Sequence, residues 1–218
     1  MNMAVWQETG LQAIIELEVH MNIVCLDLEG VLVPEIWIAF SETTGIKELR
    51  LTTRDEPSYD KLMQGRIAIL REHGLRLPDV QKVISGMEPY EGAIAFVETL
   101  REKTQFLILS DTFEQFSRPL MRKLGWPTLF CNTLIANDKG EITGYRLRQE
   151  NGKKLAVEGL EMMGFTVSAA GDSYNDVAML QTASRGFFFR PPENLPKQFP
   201  EIPVAQTYQE LLDLLFPS

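Results

Sequence analysis

Three runs in the 218-residue chain place side chains able to do chemistry at the ends of apolar segments. In IVCLDLEGVL (23–32), Asp27 and Glu29 close a hydrophobic run. Lying two apart, they point to the same side of an extended chain end. An isolated acid-x-acid pair is most often a solvated turn, so it needs company to mean more. AAGDSYND (169–176) supplies it: Asp172, Ser173, Asn175 and Asp176 crowd more acids and amides together than a helix N-cap requires. Asp172 is a candidate Mg²⁺ ligand through carboxylate oxygen, and Asp176 a candidate to bind through water or to orient the site. LILSDTF (107–113) ends an apolar run in Ser110, where a hydroxyl followed by helix N-terminal amides can cradle phosphate. Lys153 and Lys154 sit where a helix should begin, against its macrodipole. One of them neutralising a phosphate would explain that placement, and we assign the role to Lys153. Together these groups outline phosphoryl transfer through a carboxylate. Asp27 attacks phosphorus to give an aspartyl phosphate. Mg²⁺ and a lysine offset charge on the transferring oxygens. A second acid protonates the leaving alcohol and then activates the acceptor.

Such groups must be brought together by the elements that carry them. The hydrophobic pattern predicts buried strands over 22–26, 105–109, 165–170 and 186–189. Helices are expected over 89–103, 112–124, 153–163 and 175–183, with a hairpin over 129–149 turning at Asn-Asp-Lys-Gly. A proline-rich surface loop follows over 191–203, and Thr207 to Glu210 reads as a capping box opening a C-terminal helix. Between Pro34 and Pro89 the texture is helical. Helices start near Ile36 and run over 62–74, and Asp79 is a candidate N-cap for a third ending near Gly86. Strands alternating with helices imply an α/β fold with a Rossmann-like, doubly wound parallel sheet, whose ligands bind beyond the carboxyl ends of the strands. Asp27, Ser110 and Asp172 all fall there. The expected organisation is a core of 21–33 and 89–218, a small helical cap over 34–88, and an extension over 1–20. That extension lacks the pattern of a signal peptide. Two readings of it stay open, a helix over 11–19 or translation starting at Met21.

Composition narrows the function classes. A net charge of −9 and the absence of a basic stripe argue against nucleic acid and anionic membranes as partners. No apolar run reaches membrane-spanning length. Cys25 and Cys131 lie in apolar runs without a CxxC partner, so they read as small buried hydrophobes in a reducing cytoplasm. There is no GxxxxGK[ST] or GxGxxG loop for ATP. With only His20 and His73 and no HExxH, zinc hydrolase chemistry is unsupported. An acidic enzyme of this size can form a homodimer.

At this point the chain resembles the haloacid dehalogenase superfamily. Four motifs occur in order: DLEGVL (27–32), Ser110 after FLIL, Lys153, and GDSYND (171–176). The resemblance spans residue 21 to the C-terminus. It implies a Rossmann-like sheet with a helical cap after the first strand and Asp27, Glu29 and Asp172 around Mg²⁺. It also implies Ser110, Lys153 and Asn175 around the phosphate. GDSYND is similar to the GDSxND of phosphoserine phosphatases, and the resemblance extends to Glu35 for the substrate ammonium and Arg66 for its carboxylate. A phosphoamino acid needs such an anion and such a planar fork. Two departures from the ordinary phosphoserine phosphatase stand out: Glu29 where Asp is usual, and SDTF where SGGF is usual. Both resemble enzymes that also pass the phosphoryl group to homoserine. Glu29 would carry its carboxylate about one methylene further out, and Asp111 would line the acceptor pocket. Rival readings are a phosphatase of another small phosphate, such as a sugar or methylthio-ketose phosphate, and a catalytically silent sensor. Glu35 and Arg66 weigh against the first, and an intact Asp27 against the second.

Overall fold

The computed structural model describes residues 21–52, 55–56 and 58–217, so both readings of residues 1–20 lie outside it. Seven strands form one sheet: β1 (Met21–Leu26), β2 (Gln105–Phe113), β3 (Thr128–Ala136), β4 (Ile142–Arg146), β5 (Phe165–Gly171), β6 (Arg185–Phe189) and β7 (Val204–Ala205). Their order is β4-β3-β2-β1-β5-β6-β7. All pairings are parallel except the β3–β4 hairpin. The chain therefore walks outward from β1 to β4, then returns to lay β5 against the other side of β1. This reversal is where a doubly wound sheet opens a crevice.

The continuous apolar run of β1 follows from burial on both faces. Ile23 and Cys25 point to one side, packing with Val167 and Ala169 of β5 and with Val157 and Leu160 of a helix over Gly152–Met162. Val24 and Leu26 point to the other, into a larger core with Phe96 and Phe116. That larger core also takes in Ile36, Trp37, Phe40, Met63, Ile67, Val80 and Ile84. These residues belong to three helices between β1 and β2: α1 (Ile36–Thr44), α2 (Tyr59–Glu72) and α3 (Leu77–Ser85). The remaining helices are α4 (Ala93–Lys103), α5 (Glu114–Lys123), α6 (Gly152–Met162), α7 (Val177–Thr182), α8 (Leu195–Gln198) and α9 (Tyr208–Leu215). Both cysteines are free; burial pushes the Cys25 thiol up to about 12 and the Cys131 thiol up to about 11. Among the described residues no helix is long and apolar enough to cross a membrane.

Several boundaries differ from the sequence reading for local reasons. The helix expected from Thr112 begins at Glu114, because β2 continues through Ser110 to Phe113. Its register with β3 breaks between Leu109 and Phe113, and Phe113 rejoins the ladder opposite Asn132. Residues 110–112 thus form an irregular bulge rather than a first helical turn. Asp79 is not the N-cap of α3. It lies inside the first turn, and its carboxylate accepts from the Arg76 N–H at 2.8 Å. The helix expected from Pro89 starts at Ala93, after Gly92 with φ +84°. The 175–183 helix is a 3₁₀ turn over Tyr174–Asp176 followed by α7. The proline-rich loop contains α8 and leads into β7, which at two residues is too short to show periodicity. Thr207 does cap α9, accepting from the Glu210 N–H at 3.2 Å, while Glu210 reaches back to the Gln206 N–H at 2.7 Å.

α9 also anchors the loop after β1. The Tyr208 ring stacks between Phe96 and Phe189, each at 4.8 Å, and its hydroxyl donates to the Val31 carbonyl at 2.7 Å. Tyr208→Phe should keep the stack and leave that buried carbonyl without this partner. The expected loss is about 1–2 kcal/mol of unfolding free energy, read from urea denaturation. An unchanged midpoint would show that the Val31 carbonyl finds another donor.

Candidate active site

The site forms where β1, β2 and β5 end. Asp27 follows β1, its N–H donating to the Ala170 carbonyl of β5 at 2.9 Å, so the two strand ends are tied together there. Asp172 follows β5 directly. Gly30 makes the approach of the two loops feasible: its φ is +79°, and a Cβ there would collide with the Asp172 carboxylate. Asp27, Asp172 and Asp176 bring carboxylate oxygens within 4.8 Å of one another.

At the centre is Lys153 in the first turn of α6, only 6 % exposed. Its Nζ lies 2.9 Å from Asp27 Oδ1, 2.7 Å from Asp176 Oδ1 and 3.9 Å from Asp111 Oδ2. Burial works to lower its pKa, but Asp176, Asp27 and Asp111 prevail and hold the ammonium well above its usual value. Lys154 also borders the cavity, but it is half-exposed and paired with Glu158 at 3.4 Å. Geometry thus separates two lysines that sequence alone could not.

The three clustered carboxylates are not equivalent. Asp176 is fully buried and accepts from Lys153 on Oδ1. Its Oδ2 accepts from the Asp172 N–H, the Ser173 N–H and the Ser173 hydroxyl at 3.0–3.1 Å. A carboxylate has about four acceptor positions, so Asp176 is filled by the protein itself. It holds Lys153 and the 171–176 loop. Asp27 Oδ1 accepts from the Leu28 N–H at 2.7 Å as well as facing Lys153. Burial, with Asp176 and Asp172 close by, raises the Asp27 pKa well above the usual carboxylate range although Lys153 opposes it. An all-oxygen cluster of three acids against one ammonium is a donor set suited to a hard divalent cation, with Asp27 and Asp172 as the carboxylates able to hold it.

Glu29 does not join this cluster, contrary to its expected place as a metal-ligating carboxylate. Its longer side chain turns toward α1, accepting from the Ile36 N–H at 2.9 Å and hydrogen-bonding with Glu35 and Thr112. Burial, reinforced by the Glu35 charge, pushes its carboxyl up to about 8, so it holds a proton at neutral pH.

Of the expected site residues, all but Asp172 line one cavity of about 610 Å³: Asp27, Glu29, Glu35, Arg66, Ser110, Asp111, Lys153 and Asn175. Ser110 is buried, and its hydroxyl accepts from the Thr112 N–H at 3.2 Å. Because α5 starts only at Glu114, the helix-terminal amides expected just after Ser110 lie further along the chain. The Asn175 amide donates to Asp111 Oδ2 at 3.3 Å. The Asp111 carbonyl accepts from Tyr59 Oη at 3.2 Å and Asn132 Nδ2 at 3.0 Å. Sequence reasoning passed over Tyr59 and Asn132. Asn132 had a readable signal, a lone amide inside an apolar strand; Tyr59 had none. Arg66 is buried, donates to the Leu51 carbonyl at 2.7 Å, and leaves its Nε without a hydrogen-bond partner. Burial lowers its pKa to about 10, against Glu29, Tyr59 and Glu35, which raise it.

Comparison with known proteins places this geometry. Residues 21–184 match the haloacid dehalogenase-like hydrolase family, and the chain belongs to it. It is 54 % identical over 191 residues to a Pseudomonas aeruginosa protein named phosphoserine phosphatase ThrH, covering 88 % of this chain and 93 % of that one. It is 53 % identical over 194 residues to a Pseudomonas syringae pv. tomato protein named phosphoserine phosphatase, covering 89 % and 82 %. The fold superposes on the crystal structure of a phosphoserine phosphatase in apo form with a TM-score of 0.72 at 22 % identity, covering 88 % of this chain and 98 % of the other.

Two tests follow from the charges. Lys153→Met leaves Asp27 and Asp176 buried without their cation and should cost about 3 kcal/mol or more as well as turnover. Lys154→Met should stay within about 0.5 kcal/mol of wild type. Equal effects in thermal melts would contradict the geometry. Glu29 gives a pH signature. Its carboxyl holds a proton up to about 8 in the folded protein, against 4.5 for an ordinary glutamate. The metal-free fold therefore has this contribution in full below about 4.5 and loses it as pH rises through about 8. Glu29→Gln should flatten the fall in melting temperature over that window, and an unaltered slope would reassign the proton.

Proposed function

We propose that this chain is a Mg²⁺-dependent phosphoserine phosphatase working through an aspartyl phosphate on Asp27, and that it also passes the phosphoryl group to homoserine. The observation that carries the reading is Arg66. A guanidinium is buried on the wall of the same cavity as Asp27 and Lys153, with one donor unsatisfied and no carboxylate within ion-pair distance among the described residues. A buried cation left this way calls for an anion from outside. A substrate carboxylate supplies it, and Glu35 on the same cavity supplies a partner for the substrate ammonium. The names of the two pseudomonad relatives agree with that choice. On this reading, residues 34–88 are the cap that recognises the amino-acid end.

The chemistry then follows from the residues present. The Asp27 carboxylate attacks phosphorus, and the bond from phosphorus to the serine oxygen breaks. Glu29, protonated at neutral pH, gives its proton to that leaving oxygen. The resulting Glu29 carboxylate takes a proton from water or from the homoserine hydroxyl, whose oxygen attacks phosphorus and releases Asp27. Lys153 and Ser110 offset and orient the phosphoryl oxygens. Asp176 holds Lys153 in place. Mg²⁺ held by Asp27 and Asp172 would supply positive charge to the transferring oxygens. Asp111, tied to Asn175 on the cavity wall, lies where a second amino-acid alcohol would enter.

Phosphorus NMR with phosphoserine and Mg²⁺ tests the proposal. Phosphoserine should be consumed to free phosphate, with a new phosphomonoester signal growing as homoserine is added. Chelator should stop both, and Mg²⁺ should restore them. Asp27→Asn should lower turnover by roughly 10³-fold or more. Undiminished turnover in that variant would remove the covalent route. Free phosphate alone, at every homoserine concentration, would remove the transfer.

A further inference from the structure

Arg66 is fixed by more than its backbone contact. Its Cζ lies 4.5 Å from the centroid of the Trp37 ring. One terminal nitrogen donates to the Leu51 carbonyl at 2.7 Å, and the other has only the Met63 sulfur, at 3.7 Å. A guanidinium is flat, with donors confined to its edge. The Leu51 carbonyl sets the direction of that edge, and an aromatic face sets its plane. Without the second constraint the group is free to rotate about its one strong hydrogen bond.

Trp37 is itself braced. Its ring meets Phe116 edge-on at 5.5 Å and 72°, and Phe40 at 6.3 Å and 88°. Phe116 lies on α5, the helix that begins just beyond Ser110 to Phe113, and is fully buried. A column of contacts thus runs from Phe116 through Trp37 to Arg66. It refers the plane of the guanidinium to the same segment that carries Ser110 and Asp111. Trp37 and Arg66 both line the cavity.

We infer that Trp37 is a positioning residue of the carboxylate subsite: its indole face fixes the plane in which Arg66 presents donors to the substrate. This rests on the reading of Arg66 given above. A tryptophan serving only as core would affect folding, and it would affect every substrate alike. A positioning tryptophan acts selectively, because only a carboxylate reads the plane of Arg66.

Phosphoserine and O-phosphoethanolamine make the comparison, since they share the phosphate and ammonium and differ in the carboxylate. Trp37→Leu should raise KM for phosphoserine about tenfold, the scale of a partly desolvated cation–π contact, with kcat little changed. Trp37→Phe should recover most of the loss. Trp37→Leu and Arg66→Ala should each lower kcat/KM for phosphoserine several-fold more than kcat/KM for phosphoethanolamine. Where that substrate turns over too slowly, its Ki against phosphoserine gives the same comparison. The double variant should be no worse than Arg66→Ala alone. Trp37→Met replaces Trp37→Leu if the latter does not fold. If Trp37→Leu weakens both substrates equally while Arg66→Ala is selective, the inference is overturned and the carboxylate site stands. If Arg66→Ala weakens both equally, the carboxylate site itself is wrong.

Discussion

A lysine ammonium with almost no solvent contact, held by Asp27 and Asp176, is the constraint around which the rest is arranged. Removing that charge from water carries a penalty of several kcal/mol that only well-placed anions offset. The ammonium and its two anions come from three places in the chain. β1 delivers Asp27, the turn after β5 delivers Asp176, and α6 delivers Lys153 between them. For these to meet, β1 and β5 must be neighbours, which is the reversal point of the sheet. The strand order and the ion cluster are therefore one requirement seen at two scales.

The cavity is walled by two different parts of the chain. The strand ends supply carboxylates, Lys153 and Ser110. The helices between β1 and β2 supply Arg66 and Trp37, with Glu35 just ahead of α1. The two walls stay in register through polar contacts away from the ion cluster. Tyr59 donates to the Asp111 carbonyl, Gln81 to the Gln115 carbonyl at 2.9 Å, and Tyr145 to Asp60 at 2.7 Å. The Leu77 N–H donates to the Gly140 carbonyl at 2.8 Å. The position of one wall is thus tied to the position of the other.

What the sequence made legible follows from what is local. Strands buried on both faces announce themselves as apolar runs, and Asp27, Ser110 and Asp172 were readable because each closes one. The start of α5 was not readable, because the bulge at 110–112 is stabilised by Asn132, a residue on another strand. β7 was invisible because two residues carry no period. Lys153 and Lys154 are chemically identical and adjacent; only the direction of α6 tells them apart. Glu29 reads as a member of the acidic cluster from its motif position, whereas its length lets its carboxylate reach Ile36 and Glu35 instead. Trp37 belongs to the core, and its second contact, with Arg66, crosses from one helix to another and has no signature in spacing.

The charges at the strand ends also explain why the cluster is not self-sufficient. Asp27, Asp172 and Asp176 against Lys153 leave an excess of about two negative charges when all are ionised, and a phosphate monoester would add about two more. Burial is the largest cause of the raised Asp27 pKa, and the neighbouring charges of Asp176 and Asp172 add to it. A protonated Asp27 has lost the charge that makes it a nucleophile. Asp176 cannot relieve the excess by turning away, because four donors hold it. Lys153 cannot, because it is already shared. Asp27 and Asp172 are the other two carboxylates of the cluster, and that of Asp172 stands against Gly30. The residues that crowd the nucleophile are therefore the ones whose charge calls for a divalent cation, and the same crowding adds to burial in raising the Asp27 pKa.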